Sequence, residues 1–343
     1  MDHLITEALR DLLTGQCTPA VVRAIESEAA ASSGASPAAA ALWQQIEDTG
    51  FADLLLPEAA GGAGLALRDA FGVWDVLGQH AMPLPLADTM LARAWLATAG
   101  VPLPHGAIAL APQLAVAAGG VRATGVRGAR VAQWVLGQQG ADLLLLPVAA
   151  AQASASIFVL DADLLWPEAA LASATRVPAF ASLLVAQAGL VSALLAGSLL
   201  AVLESSLNFA NERQQFGRPI GKFQAIQHEL AVMAEHVSAA RMAAQIACEA
   251  DGVVADPLKV AVGKARSSEA AVEVASLAHS VHGAIGFTTE FDLQLSTRRL
   301  HLWRQTAGSE SYWQLQAGQA LLAADGMALD VIRQITDSSA PVA

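Results

Sequence analysis

Apolar residues recur every three or four positions over most of the chain and fall into short runs only in its middle. Leu67, Ala70, Phe71, Trp74 and Leu77 share one helix face. Gly78, then Pro83 and Pro85, are expected to end that helix and begin an extended link. Ile226, Leu230, Met233, Val237, Ala240 and Ala244 alternate steps of four and three, which predicts a second amphipathic helix. Asp256 and Pro257 are an N-cap and first-turn pair. The helix they open is expected to stop at Gly283, with Val262, Ala265, Val272, Ala275 and Ala278 on its face. A last helix is expected from about Tyr312 to Ile335. In the middle, IALAP, ARVAQWVLG, DLLLLPV and SIFVLDADLL read as strands. The small residues from Ser32 to Ala41 read as a loop. Pro57 and the glycines at 61, 62 and 64 predict a loop that can approach another group closely.

Helices, then strands, then helices predict a mainly α protein with a small β domain. The expected divisions are 1–104 for an N-terminal helical domain, 105–178 for a short β domain and 179–343 for a four-helix bundle. The stretch from Leu183 to Leu203 has no charge, and its length matches the roughly 20 residues of a membrane span. Gln187, Ser192 and Ser198 interrupt it, and Glu204, Ser205 and Ser206 follow in place of aromatic or basic flanks. A bundle helix buried on all sides is the expectation, with no membrane partner.

Composition narrows the function. The 343 residues are 54% hydrophobic and 15% charged, with a formal net charge of −12. That balance argues against a nucleic-acid partner, which needs a basic face, but leaves room for a local cation cluster around an anionic ligand. Cys17 and Cys248 suggest neither a disulfide framework nor a metal site. The opening MDHLITEALRDLL does not read as a signal peptide, so a reducing cytoplasm is expected.

The densest chemistry is NERQQFGRPIGKFQAIQ, Asn211 to Gln227. Arg213 offers fork geometry to a pyrophosphate. Gln215 and Gln224 can donate to phosphate or ribose oxygens, and Phe216 and Phe223 suit a flat adenine. Gly217, Pro219 and Gly221 are expected to break the helix and free backbone donors. The plainer reading is a polar link between two helices with a surface salt bridge. In VHGAIGFTTEFDL, Val281 to Leu293, Gly283 and Gly286 let the chain pass close to a ligand, or simply cap a helix.

The module order and these two motifs resemble the acyl-CoA dehydrogenase family, FAD-dependent enzymes with an N-terminal helical domain, a middle β-barrel-like domain and a C-terminal four-helix bundle. The resemblance covers nearly the whole chain. It is strongest in the two motifs, moderate in LLPEAAGGAGL and weak in the β region. It implies that the first motif holds the adenosine and pyrophosphate end of FAD bound to a neighbouring subunit, and that Gly283 and Gly286 meet the same dinucleotide. Ser309 is carried over as a further cofactor contact. The implied reaction removes a proton from the α-carbon of an acyl-CoA thioester and passes hydride from the β-carbon to the flavin. An electron-transfer flavoprotein or similar carrier is the implied acceptor.

Four departures stand against that pattern. Ser280 occupies the position of a family glutamine beside the nucleotide, where His279 or His282 could compensate. Ala307, followed by Gly308 and Ser309, stands where the family has its glutamate base. The less common base position falls at Gln187, Ala188 and Gly189, again without a carboxylate. Glu310 is the nearest substitute; Glu290 and Asp292 read as solvated acids. Finally, the threonine and acid of the flavin-covering strand are absent from IALAPQLAVAAGG, and the loop after it reads as short. Trp134 reads either as a flavin neighbour or as a β-core residue. The resemblance therefore points to a subunit of a heteromeric dehydrogenase of steroid-type CoA thioesters, with the active site largely on a partner. The alternative is a structural partner that only completes FAD binding and assembly.

Overall fold

The computed structural model describes residues 2–31 and 36–336, which form two compact units. The first holds the chain up to Ala70, Met82–Gln187 and Asp251–Val254. It opens with α1 (Asp2–Gln16), α2 (Pro19–Ala31) and α3 (Pro37–Asp48). Part of the loop expected over 32–41 is helix instead. Ser36 accepts from the amide of Ala39 at 3.0 Å and Pro37 takes the first helical position, a capping pair that overrides the small-residue composition. Residues 32–35 lie outside the described set. In the loop after α3, Gly62 lies against the backbone of Asp53 and Leu56, so the close approach is made by the loop to itself.

Beyond α4 (Leu67–Gln79), α5 (Leu86–Thr98) carries two buried charges of this unit. Arg93 donates to Asp53 at 2.8 Å and to Glu47 at 2.7 Å. Asp88 pairs with Arg127 and accepts from the Gln187 amide at 3.3 Å. Burial raises the Asp88 carboxyl above its ordinary range, against the pull of Arg127.

Eight strands follow: β1 (Ile108–Ala111), β2 (Ala115–Ala117), β3 (Gly120–Val126), β4 (Trp134–Gln139), β5 (Asp142–Pro147), β6 (Gln152–Ala155), β7 (Ala162–Pro167) and, after α6 (Glu168–Ala172), β8 (Thr175–Pro178). They make two four-stranded sheets, ordered β1-β4-β5-β8 and β2-β3-β7-β6. β1 and β4 are parallel and the other pairs antiparallel. Leu114, Val121, Val135, Leu144, Leu146, Leu164 and Trp166 form their core. Two expected strands are shorter than their apolar runs. Ala129–Val131 is a 3-10 turn, and the strand within SIFVLDADLL begins only at Ala162. Asp161 accepts from the amide of Gly128 at 2.9 Å, which fixes both breaks.

The second unit contains Phe71–Ala81, Ala188–Ala250 and the chain from Ala255 onward. Gly78 does not end its helix; α4 continues through it to Gln79. A β-carbon on Gly78 would run into the carbonyl of Leu194, and one on Gly197 into that of Asp75. Both glycines therefore exist to bring α4 against α7 (Leu183–Glu212). Asp75, 3% exposed, also accepts at 3.0 Å from Arg241, which lies on the helix after α7. Gly78→Ala is expected to overpack this contact and cost about 1–3 kcal/mol, read as a lowered urea midpoint with an unchanged slope.

The long apolar α7 could span a bilayer by length and composition, but 83% of its most apolar window is buried within the protein. A two-stranded hairpin, β9 (Gln214–Gln215) and β10 (Arg218–Pro219), leads into α8 (Gln224–Ala247). Leu230, Met233, Val237, Ala240 and Ala244 face inward as expected. α9 (Pro257–His282) opens at Asp256, which accepts from the amides of Leu258 and Lys259, and ends at Gly283. Val262 and Val272 of its expected face are only half-buried; its buried positions include Ala261, Lys264, Ser268, Ala271 and Ala275. The chain continues through α10 (Leu293–Trp303), α11 (Glu310–Ala323) and α12 (Ala328–Thr336). The single last helix expected over Tyr312–Ile335 is thus two, parted at Gly326, whose φ of 116° no helix accommodates.

Candidate cofactor site

The first motif is a hairpin between α7 and α8. Gln215 pairs with Arg218 and Gln214 with Pro219. Phe216 and Gly217 form the two-residue turn, with φ of 51° and 78°, the mirror-image turn that matches strand twist. Phenylalanine is strained there, yet Phe216 is 91% exposed. The turn therefore holds a large aromatic ring out in solvent. Ile220 anchors the hairpin: it is buried and its amide donates to the Arg213 carbonyl at 2.8 Å.

The side chains around this turn suit a nucleotide diphosphate. Arg213 and Gln215 are exposed, and the Arg213 guanidinium has no internal partner among the described residues. The Arg218 guanidinium lies 4.3 Å from the centre of the Phe223 ring, and the Phe216 and Phe223 rings meet edge-on at 6.0 Å. Gln224 is exposed at the first position of α8. No side chain caps that helix, so its first amides and the positive end of its dipole remain available to an anion. The free donors thus lie at the start of α8 rather than along the hairpin, whose strands pair with each other. Phe216→Gly is expected to relieve the turn and raise the unfolding midpoint slightly, by up to about 1 kcal/mol, while weakening flavin retention. Thermal melts and flavin release separate the two effects.

The second motif closes α9. Gly283, at a φ of 63°, donates its amide to His279. Gly286 is buried against His282, His279 and Leu293, with no room for a side chain. His279 stacks on Phe287 at 4.2 Å and approaches the Thr297 hydroxyl at 3.2 Å. His282 stacks on Phe209 at 4.4 Å and its Nδ1 donates to the Ala278 carbonyl at 2.8 Å. Burial pushes both imidazoles below their ordinary pKa, which favours their neutral forms. Both rings serve internal stacking. Ser280 donates to Glu229 at 3.0 Å, so it offers only lone pairs to the 470 Å³ pocket that it lines with Val272, Ser276, His279, Phe287 and His301. Phe209 also joins the two motifs, because its carbonyl accepts from the Arg213 amide at 2.8 Å.

The third element is the loop between α10 and α11. Ala307 has a φ of 56° and Gly308 one of 98°. Trp313 Nε1 donates to the Ala307 carbonyl at 2.8 Å. Lys264 is fully buried, and its Nζ donates to Ser268 Oγ at 2.8 Å and to the carbonyls of Arg304 and Gly308, each at 2.9 Å. Ser309 caps α11. Glu310 accepts from Arg304 at 2.6 Å, so its carboxylate is tied to a structural cation. Glu290 and Asp292 are exposed. Gln187, outside this unit, donates to Asp88 and to the Leu110 carbonyl. Trp134 is half-buried and donates to the His105 carbonyl at 3.1 Å; the β-core tryptophan is Trp166.

Burial pushes the Lys264 ammonium down to about 7, opposed by Glu310. Between that value and the ordinary lysine range the unfolded chain binds more protons, so the Lys264 contribution to stability rises with pH in this window. The slope is expected to approach 1.4 kcal/mol per pH unit at most, roughly. Urea midpoints at mildly alkaline pH, compared with Lys264→Met, read it directly. Sequence reasoning passed over Lys264, Asp88 and Glu229. The available signal was their setting among small or apolar residues, AVGKARSS and LADTMLARAWL for the first two.

The chain belongs to the acyl-CoA dehydrogenase family, whose cofactor is FAD and whose members are oxidoreductases. The family description "Acyl-CoA dehydrogenase, C-terminal domain" matches residues 179–322. Across 309 residues the chain is 31% identical to the acyl-CoA dehydrogenase IpdE2 of Mycobacterium tuberculosis, covering 87% of this chain and 90% of that one. Among solved structures, the ChsE4–ChsE5 complex from Mycobacterium tuberculosis matches with a TM-score of 0.78 at 20% identity, over 95% of this chain and 98% of that one. A steroid acyl-CoA dehydrogenase variant, Tcur3481–Tcur3483, matches at 0.77 and 22% identity, over 94% and 97%.

Proposed function

We propose that this chain is a subunit of an FAD-dependent dehydrogenase that desaturates a bulky, steroid-type CoA thioester, with most of the active site on a sister subunit. The observation that carries this is a contrast within one helical unit. The nucleotide-facing hairpin keeps an unpartnered Arg213, an uncapped α8 and an exposed Phe216, while the base position is Ala307 and the nearby Glu310 is bound to Arg304.

FAD, when bound, supplies the hydride acceptor. This chain's residues hold its nucleotide end: Arg213 offers two parallel donors to a phosphate, the first amides of α8 add partial positive charge, and Phe216 and Phe223 offer ring faces to adenine. On the α10–α11 loop Ala307 has no titratable atom, and Glu310, at the start of α11, is held by Arg304. Several apolar residues of α11 and α12 are exposed, among them Leu315, Leu322, Leu329 and Ile332, and they suit burial against another subunit. Both cysteines are buried and neither is in a disulfide, which supports a reducing cytoplasm.

Co-expression with a second family member that carries an intact glutamate tests the reading. A stoichiometric complex that retains FAD and bleaches it with a CoA thioester is expected, with electrons passing on to an electron-transfer flavoprotein or similar carrier. A self-sufficient homo-oligomer that turns over rapidly would overturn it. A complex in which this chain can be replaced by any inert scaffold would favour the purely structural role.

A further inference from the structure

We propose that Lys264 is a proton-controlled clasp on the α10–α11 loop: its ammonium ties the Arg304 and Gly308 carbonyls to Ser268 of α9, and loss of its proton weakens this set of bonds, turns Ser268 away from the Arg304 carbonyl and loosens the loop that carries Ala307 and Ser309. The geometry is a closed set. An ammonium has three N–H groups, and all three are used, at 2.8, 2.9 and 2.9 Å. A neutral amine has two N–H groups and a lone pair: the two carbonyls then keep only uncharged, weaker bonds, and the Ser268 hydroxyl, which also donates to the Arg304 carbonyl at 3.3 Å, must give up that bond to donate to the lone pair.

The loop depends on this clasp. Two consecutive residues, Ala307 and Gly308, hold left-handed backbone, and for alanine that conformation is strained. A strained segment persists only where its surroundings over-determine it. Here the other restraints are Trp313 Nε1 on the Ala307 carbonyl, the Arg304–Glu310 ion pair and the Ser309 cap on α11. Lys264 holds backbone carbonyls near both ends of the loop and ties them to α9.

The charged groups that act on Lys264 come from the two neighbouring elements. Glu310 at the start of α11 favours the ammonium, and Arg304 at the end of α10 disfavours it. On α9 itself the facing group is the neutral Ser268. On the α8 side, Ala243 and Ala247 pack on the adjoining Gly263 and carry no charge. Burial without a directly paired carboxylate places the proton's loss close to neutrality, about 7. The clasp is thus tight on the acid side of neutral and slack on the alkaline side. The inference does not depend on the proposed function.

Trp313 is a built-in reporter, because its indole N–H bonds to the loop. The full-length chain, labelled with nitrogen-15 at tryptophan, is titrated from about pH 5.5 to about 9, spanning the histidine and thiol ranges. The Trp313 indole signal is assigned by its disappearance in Trp313→Phe. Trp166, whose indole bonds to the Pro147 carbonyl at 2.9 Å in the β-sheet core, serves as the fixed control. The Trp313 signal is expected to move with a midpoint near neutrality while that of Trp166 stays put. Lys264→Met should abolish the movement. Should that variant not fold, Glu310→Gln decides: removing the carboxylate that holds the proton on Lys264 should shift the midpoint to lower pH. A Trp313 signal that is flat across the range, or a midpoint unchanged in Glu310→Gln, overturns the proposal.

Discussion

Mixed anaerobically with acyl-CoA thioesters, the FAD-loaded chain on its own is expected to leave its flavin oxidised. General-base catalysis contributes roughly 10²–10⁴-fold, and on the proposed reading no residue of this chain supplies it. Replacing Ala307 by Glu is expected to recover little of that factor. The loop would accept the substitution, since its backbone is held by Lys264 and Trp313 rather than by the Ala307 side chain. What is missing lies elsewhere. A base works only within hydrogen-bond reach of the α-proton, and a misplacement near 1 Å costs about 10²-fold. The segment that covers flavin and thioester in the family is here β1 followed by a tight β2–β3 hairpin, with Ala117 paired to Gly120 across two residues. From Ile108 to Gly120 it carries neither the threonine nor the acid that the family resemblance leads one to expect there. Stopped-flow bleaching of the flavin by a panel of thioesters compares the parent with Ala307→Glu. Turnover near that of a complete family enzyme from the single substitution would remove the main support for a partner-borne active site.

Arg213→Ala, made in the complex, is expected to weaken FAD retention by about 10–150-fold. That corresponds to a lost charge-assisted bond of about 1.5–3 kcal/mol. The fold should be untouched, because the Arg213 side chain is exposed and holds no internal bond. Flavin fluorescence in the filtrate after dilution reads the release, and circular dichroism checks the helices. Arg213→Lys should restore only part of the affinity, since an ammonium lacks the fork. Retention unchanged in both variants would place the phosphates away from this hairpin.

Features set by neighbouring residues were legible in the sequence. Asp256 and Pro257 start α9 and Gly283 stops it through bonds that span a few residues. The inward face of α8 follows from its period alone. Features set by distant partners were not. Gly78 looked like a helix end, yet its reason is the Leu194 carbonyl. The hairpin at Phe216 and Gly217 was hidden because phenylalanine is a poor residue for a turn that needs positive φ. Ser280 was legible as a departure, but not its bond to Glu229, which lies on another helix. Lys264 drew no reading at all, because only the fold brings two carbonyls and a hydroxyl around it.

The face of α4 that meets α7 at Gly78 and α8 through the Asp75–Arg241 bond also constrains how the polypeptide is made. Asp75 and Arg241 are separated by 166 residues. At roughly 5–20 residues per second on the ribosome, about 10–30 s pass between synthesis of the two. Throughout that interval the inner side of α4, with its carboxylate and its flush glycine, waits without the helices that will cover it. A fragment comprising only residues 179–322 would lack that strip of α4 altogether, and would leave Arg241 without its buried carboxylate and the Leu194 carbonyl without Gly78 against it. On the nascent chain that strip of α4 is covered only once α7 and α8 have both been made.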